Sequence, residues 1–300
     1  ARKTHEKVTA APQERLLNSK KEETREMTDN NSVLTDELLQ RCAERAGDYD
    51  RENRFFAEDF DELKALGYLN GPAPKELGGG GLTLAQSCAA QQRLAYAAPA
   101  TALAVNMHIY WVGVAADLWR AGDKSLEWLI EESLAGEIFA AGHSERGNDL
   151  PVFLSTTSAK KVDGGYRFSG HKMFGSLTPV WTRFGFHGMD VDAEGGPKII
   201  HAFMPRDTEG YTIKETWDVM GMRATRSDDT ILEDVFVEDK YIGHIVPAGE
   251  GDPYILSLFA WALLGFASVY TAVAQRAVDL ALPMVRDKTS LGLTRSMAYH

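Results

Sequence analysis

Residues 163–176 read DGGYRFSGHKMFGS. Asp163-Gly164 opens a tight turn, and the residues after it predict a short strand, a second turn at Ser169-Gly170 and a second strand. One face of this hairpin carries Tyr166, Lys172, Phe174 and Ser176. An aromatic ring and a hydroxyl thus stand at the end of a short β-hairpin, just before a loop that runs into Pro179 and Trp181.

On both sides of the hairpin the texture is the same from about residue 137. Short β-like runs alternate with turn signals: EIFAAGHS, STTSAKKV, RFGFHGMDV, KIIHAFMP, YTIKETW and TILEDVFV. Such spacing predicts a small antiparallel sandwich or barrel. Before it, residues 33–136 read as helices. Thr35 caps the first, apolar residues at helical spacing run up to Gly67, and Thr83 caps another. Pro99 opens a long helix, and SLEWLIEESLAGE supplies one more. After Gly251 helical texture returns and continues to about Lys288. The order is helices, strands, helices, which differs from the βαβ alternation of a nucleotide-binding sheet. The expected fold class is α+β and multidomain. Residues 1–30 form a poorly ordered extension, 31–136 an N-terminal helical domain, 137–247 a middle β-domain, and 248–300 the truncated start of a C-terminal helical bundle.

The 300 residues are 44% hydrophobic, enough for a sizeable core. A net charge of −11 argues against nucleic acid or an anionic membrane as the main partner. Cys42 and Cys88 have no metal-ligand spacing and read as thiols in a reducing compartment. The charged N-terminus has no apolar core of a signal sequence, so a cytoplasmic location is expected. Residues 254–274 carry no charge over a length that spans a bilayer. Their interspersed Ser257, Ser268, Thr271, Tyr254 and Tyr270, with no flanking Lys/Arg clusters, favour the centre of a helical bundle over a membrane span.

Three motifs fail on inspection. The Gly78–Gly81 run has no preceding strand and no following Lys-Ser/Thr, so it is a loop at a helix start rather than a phosphate cradle. The stretch GHSERG at 142–147 has Arg146 where a nucleophile elbow has glycine, and the chain lacks the parallel sheet that elbow needs. His108 lies in an apolar helix and reads as a core or cavity-wall histidine.

Five motifs in fixed order resemble the acyl-CoA dehydrogenase family. IFAAGHSERGND at 138–149 resembles the ALTEP-x-AGSD signature of that family, and DGGYRFSGHKMFGS its DGGYxLNGxKxWIT hairpin. MGMRATRSDDTILEDVFVEDKYIG at 220–243 is similar to its MGxRxSxTxxxxFxDVxVPxxxxxG run. PKELGGGGLTLAQ and AQRAVDLALPMVRDKTSLG resemble its Gly-rich loop with the helix that follows and its first C-terminal helix. The resemblance runs from about residue 33 to the end.

It implies FAD held against the middle β-domain. By themselves Phe174 reads as core, and Ser144 and Ser176 as solvated turn residues. The resemblance makes Ser144 a hydrogen-bonding partner of the flavin, Phe174 the aromatic packed on its ring, and Ser176 the hydroxyl beside flavin N5. A flat polarizable ring is well served by an aromatic face and a few fixed polar groups along its edge. Lys288 falls where relatives have an Arg that reaches the FAD pyrophosphate of a partner subunit; Lys keeps the charge but loses the bidentate fork. Arg223 matches the Arg of MGxR, as an ion-pair residue or a site residue. Trp181, Met107 and Trp111 are candidate pocket-wall residues.

The implied activity is oxidation of an acyl-CoA thioester at Cα–Cβ, in a homodimer or homotetramer. The family's late catalytic Glu would lie beyond His300, and its early alternative position is occupied by Ala262, followed by Leu263. The chain is therefore expected to be a fragment, or its apolar helix to be covered by partner chains. Two other functions stand beside this one: a two-component flavin monooxygenase, which needs no carboxylate base, and a catalytically silent binding partner.

Overall fold

The computed structural model describes residues 33–289 together with 292, 296 and 297. The extension expected over residues 1–30 lies outside the described residues. Helix α1 (Asp36–Glu52) starts where Thr35 accepts a hydrogen bond from Leu38 N at 3.2 Å, and stops where Asn53 turns left-handed. Helix α2 (Ala57–Ala65) is followed by Gly67 at φ 74°. Helix α3 (Leu84–Ala97) begins with a reciprocal cap between Thr83 and Gln86. Pro99 sits in the first turn of α4 (Pro99–Arg120), whose residues are buried almost all round. Short α5 (Glu127–Leu134) leads to the strands. The glycine run before α3 exists for packing: a Cβ on Gly79 would lie 2.3 Å from the Ala73 carbonyl oxygen.

The strands are β1 (Phe139–Gly142), β2 (Ser158–Val162), β3 (Gly165–Gly175), β4 (Arg183–Asp190), β5 (Lys198–Pro205), β6 (Tyr211–Lys214), β7 (Asp228–Glu238) and β8 (Ile242–Pro247). They form one eight-stranded sheet in the order β6-β7-β3-β2-β4-β5-β8, with β1 also on β4. The sheet is mixed: β1 and β2 run parallel to β4, and the other pairs are antiparallel. Strand β8 was not among the expected runs.

The expected second turn in 163–176 is absent, and β3 is one continuous strand of 11 residues. Only the Asp163-Gly164 turn is real; it joins β2 to β3, with Val162 opposite Gly165. Gly170 is a close approach rather than a turn, since a Cβ there would lie 2.2 Å from Thr157 Oγ1. The pairing of β3 with β7 shifts at two bulges, between Phe168 and Gly170 and between Lys172 and Gly175.

Helix α6 (Pro253–Asp287) is capped by Asp252, whose side chain accepts from Ile255 N. It packs on α3 and α4 through Tyr254, Leu258, Trp261, Val269 and Ala272. Trp261 lies over Gly113 of α4, where a Cβ would come within 2.2 Å of the indole, and its Nε1 donates to Asp117 Oδ2 at 2.6 Å. Asn106 of α4 lies against Gly265 in the same way, at 2.3 Å from a Cβ built there. Leu256, Leu263, Leu264 and Tyr270 are at least half exposed, because α3 and α4 cover only one side. By length and composition alone this helix is also apolar enough to cross a membrane.

Candidate functional site

A cavity of about 490 Å³ lies between the sheet and helices α4 and α6. Its polar side is made by the residues after β1, the end of β3 and the loop between β6 and β7; its apolar side by Met107, Tyr110, Leu258, Phe259 and Phe266. Ser144, Phe174 and Ser176 all lie on this wall. Three positions from two separate segments thus converge on one space.

Each is placed by local backbone chemistry. Ser144 follows β1 and bridges to β3, its carbonyl accepting from Met173 N at 2.9 Å. The second bulge of β3 turns Phe174 to φ 61°, a conformation costly for an aromatic residue and concentrated at functional sites. Its ring stays 52% exposed, with Trp217 edge-on at 5.9 Å. Ser176 ends a chain of hydroxyls. Thr225 donates to the Met222 carbonyl at 2.9 Å, so the 2.7 Å contact from Ser227 to Thr225 must be donated by Ser227, and that from Ser176 to Ser227 by Ser176. Ser176 Oγ therefore faces the cavity as an acceptor.

Beneath the wall lies a buried ion pair. Lys172 Nζ is 2.6 Å from Glu145 Oε1, and both side chains are fully buried. The hairpin face that seemed polar in the sequence is thus the inward face at Lys172. Glu145 also accepts from Ser155 Oγ and from the backbone N–H groups of Thr156 and Thr157, which ties the loop after β1 to β2. Burial pushes the Glu145 carboxyl up, but the Lys172 charge and these hydrogen bonds outweigh it and hold it at about 2. Burial brings Lys172 down to about 8 against the pull of Glu145.

His143, not singled out in the sequence, is on the cavity wall with Nε2 buried and without a protein partner. Burial, reinforced by the charge of Lys172, pushes it down to about 3. His108 is a core residue: its Nδ1 accepts from Phe139 N and its Nε2–H reaches Ser133 Oγ, so it ties α4 to β1 and α5.

The other sequence candidates divide. Met107 lines the cavity. Trp181 and Trp111 do not: Trp181 is buried under the Arg206 guanidinium, and Trp111 Nε1 donates to the Ala140 carbonyl. Arg223 pairs with Asp218 at 2.9 Å and donates to the Asp50 carbonyl, pinning the β6–β7 loop to the end of α1. Lys288 is exposed at the C-terminal end of α6, off the cavity wall. Ala262 and Leu263 both line the cavity, and among the described residues of its wall none is a carboxylate.

Residues 22–126 match the family described as acyl-CoA dehydrogenase, N-terminal domain. The chain is 28% identical to a putative acyl-CoA dehydrogenase, YdbM, of Bacillus subtilis over 85% of its own length and 64% of that protein's. It is also 28% identical to an L-evernosamine nitrososynthase of a Micromonospora species, over 82% of this chain and 58% of the relative. Among solved structures, that of KijD3 in complex with FMN and a dTDP-linked amino-keto sugar superposes with a TM-score of 0.74 at 26% identity, covering 87% of this chain and 65% of that one. The chain thus spans about three-fifths of the length of these curated relatives. The helix–sheet–helix order, the five motifs and these similarities all point to the acyl-CoA dehydrogenase family, whose N-terminal domain residues 22–126 match.

Proposed function

We propose that the protein is a flavin-dependent oxidoreductase whose cofactor, FAD, rests its ring in the cavity among Ser144, Phe174 and Ser176. The convergence of these three side chains carries the reading. The wall suits such a ring on its own terms. It offers an exposed aromatic face at Phe174, an acceptor at Ser176, and an unpartnered buried nitrogen at His143. Bound flavin would supply the two-electron redox chemistry. The chain's own residues bind and orient: Phe174 covers the ring, Ser176 accepts from an N–H at its edge, and Met107, Leu258 and Phe259 keep water from the apolar side. Lys288 is proposed to meet the pyrophosphate of flavin held by a second copy in a homodimer or homotetramer.

The resemblance favours oxidation of an acyl-CoA at Cα–Cβ, with a base supplied by chain beyond residue 300. One observation favours a second reaction. The family's early base position is Ala262, on the cavity wall, and no described wall residue is a carboxylate. That wall suits an oxygen-using monooxygenase, which needs reduced flavin and no carboxylate base.

Purified full-length protein is expected to be yellow, and chromatography of the released chromophore distinguishes FAD from FMN. Anaerobic bleaching by an acyl-CoA supports the dehydrogenase. Turnover only with a separate flavin reductase and oxygen supports the monooxygenase. Protein that neither carries nor takes up flavin ends both readings. Phe174→Ala is expected to weaken flavin binding about tenfold in a fluorescence titration, the loss of one aromatic contact of about 1.4 kcal/mol.

A further inference from the structure

Four of the chain's 8 histidines stand in one row across four adjacent strands. In the sheet register His187 of β4 lies opposite His201 of β5, and His201 opposite His244 of β8. His143 follows Gly142, which pairs with Phe186, so it extends β1 to the position facing His187. Ring centroids are 5.3 Å apart for 143–187, 5.8 Å for 187–201 and 6.3 Å for 201–244. The inner end, His143, is on the cavity wall. At the outer end His244 is 27% exposed, with Nε2 at 2.5 Å from Asp252 Oδ2. The row therefore joins the cavity to solvent.

The partners of each ring fit transfer rather than packing alone. His143 and His187 meet through their Nδ1 atoms at 3.2 Å. His187 Nε2 has two partners of opposite kind: it donates to the Leu154 carbonyl at 3.1 Å or accepts from Val152 N at 3.3 Å. Both of its neutral tautomers are thus hydrogen-bonded, and Nδ1 is free to give or take the proton shared with His143. His201 holds both ring nitrogens buried with no protein partner, an arrangement that protein interiors seldom tolerate. Tyr254 of α6 stacks on His244 at 4.3 Å and stands edge-on to His201 at 5.0 Å, closing the row from above. The charged groups that face it are the Lys172–Glu145 pair at the inner end, and Asp252 and Asp123 at the outer end. Among the described residues no group of three or more His, Cys, Asp or Glu side chains suits a metal ion, and the linear row agrees with that.

We infer that the row His143–His187–His201–His244 is a proton relay between the cavity and solvent. A proton taken up by His244 beside Asp252 is handed inward. Each imidazole binds a proton at one nitrogen and releases one from the other, through a bridging water or a ring rotation where the gap exceeds a hydrogen bond. The net step moves one proton and no electrons, and leaves each ring in its other tautomer until it turns back or the relay runs in reverse. Burial keeps all three inner rings neutral at rest, so each can both accept and donate. The relay rests on the flavin reading only for what gains or loses the proton in the cavity.

Two measurements on the full chain separate the relay from that reading. The first needs no cofactor. In 15N-labelled protein, solvent exchange of the His187 ring N–H is expected to slow at least tenfold in His201→Phe, which keeps a ring and removes both nitrogens. The second uses flavin-loaded protein with a pH-indicator dye. Proton uptake on photoreduction is expected to slow at least tenfold in His201→Phe and in His244→Asn, with flavin affinity within twofold of wild type, and added imidazole is expected to restore the rate of His244→Asn. Should His201→Phe fail to fold, the His244→Asn rescue decides. Unchanged His187 exchange in folded His201→Phe, or wild-type uptake in the variants, overturns the relay. Failure to bind flavin overturns the flavin reading, and the exchange measurement then decides the relay alone.

Discussion

Acidification from pH 6.5 downward is expected to unfold the protein steeply. His108, His143, His187 and His201 are all held neutral in the fold, chiefly by burial, with His108 and His143 brought down to about 3 and the other two lowered strongly. In the unfolded chain each titrates near the ordinary value of about 6.5. Their folded values are depressed, so the stability linked to them is fully present above pH 6.5 and is lost as pH falls, because the unfolded chain binds protons that the folded one refuses. Each such group costs about 1.4 kcal/mol per pH unit, and four together about 5. A typical reserve of about 5–15 kcal/mol is exhausted within roughly one to three units. Tryptophan fluorescence against pH should show a midpoint between about pH 3.5 and 5.5, and unfolding free energies from urea should fall with a slope of nearly four protons. A protein still folded at pH 3 would show that the histidines reach water.

Lys172→Met is expected to destabilise the fold by about 3–5 kcal/mol, since it leaves the Glu145 carboxylate buried and uncompensated. For a chain of this size that lowers the thermal midpoint on the order of 10 °C. The double variant Lys172→Met, Glu145→Leu removes both charges and should recover more than half of the loss, and a calorimetric double-mutant cycle reads the coupling directly. Recovery will be incomplete, because Glu145 also holds the N–H groups of Thr156 and Thr157. Glu145 at about 2 against an unfolded value near 4.3 adds stability above that value, which disappears as pH falls toward 2.

What was legible in the sequence was local. Thr35, Thr83 and Pro99 mark helix starts by chemistry confined to one turn, and the structure keeps all three. Gly170 was misread because the reason for glycine there is Thr157, just before β2, which the β2–β3 pairing brings against it. Lys172 shares strand parity with Tyr166 and Phe168, both buried, so its inward direction was readable once β3 was taken as unbroken. Strand β8 was hidden by its brevity, with Gly243 and Pro247 inside or at the end of a six-residue run. Ser144, Phe174 and Ser176 stood out only through the family resemblance; their own residue types fit ordinary turns and core. The histidine row was invisible, because the four residues lie in strands far apart in the chain and only the register of β1, β4, β5 and β8 aligns them.

The two contacts between α4 and α6 act as a detent. Trp261 drops into the notch at Gly113, and Asn106 into the notch at Gly265, one projection and one recess on each rod. Axial slippage would drive the indole into side-chain-bearing neighbours, and even a single-residue step of about 1.5 Å misaligns both notches together. The detent stands beside Ala262 and Phe266, so it fixes the position of that side of the chamber, and Tyr96 Oη donating to Asp279 Oδ2 at 2.7 Å ties the far half of α6 to α3 as well.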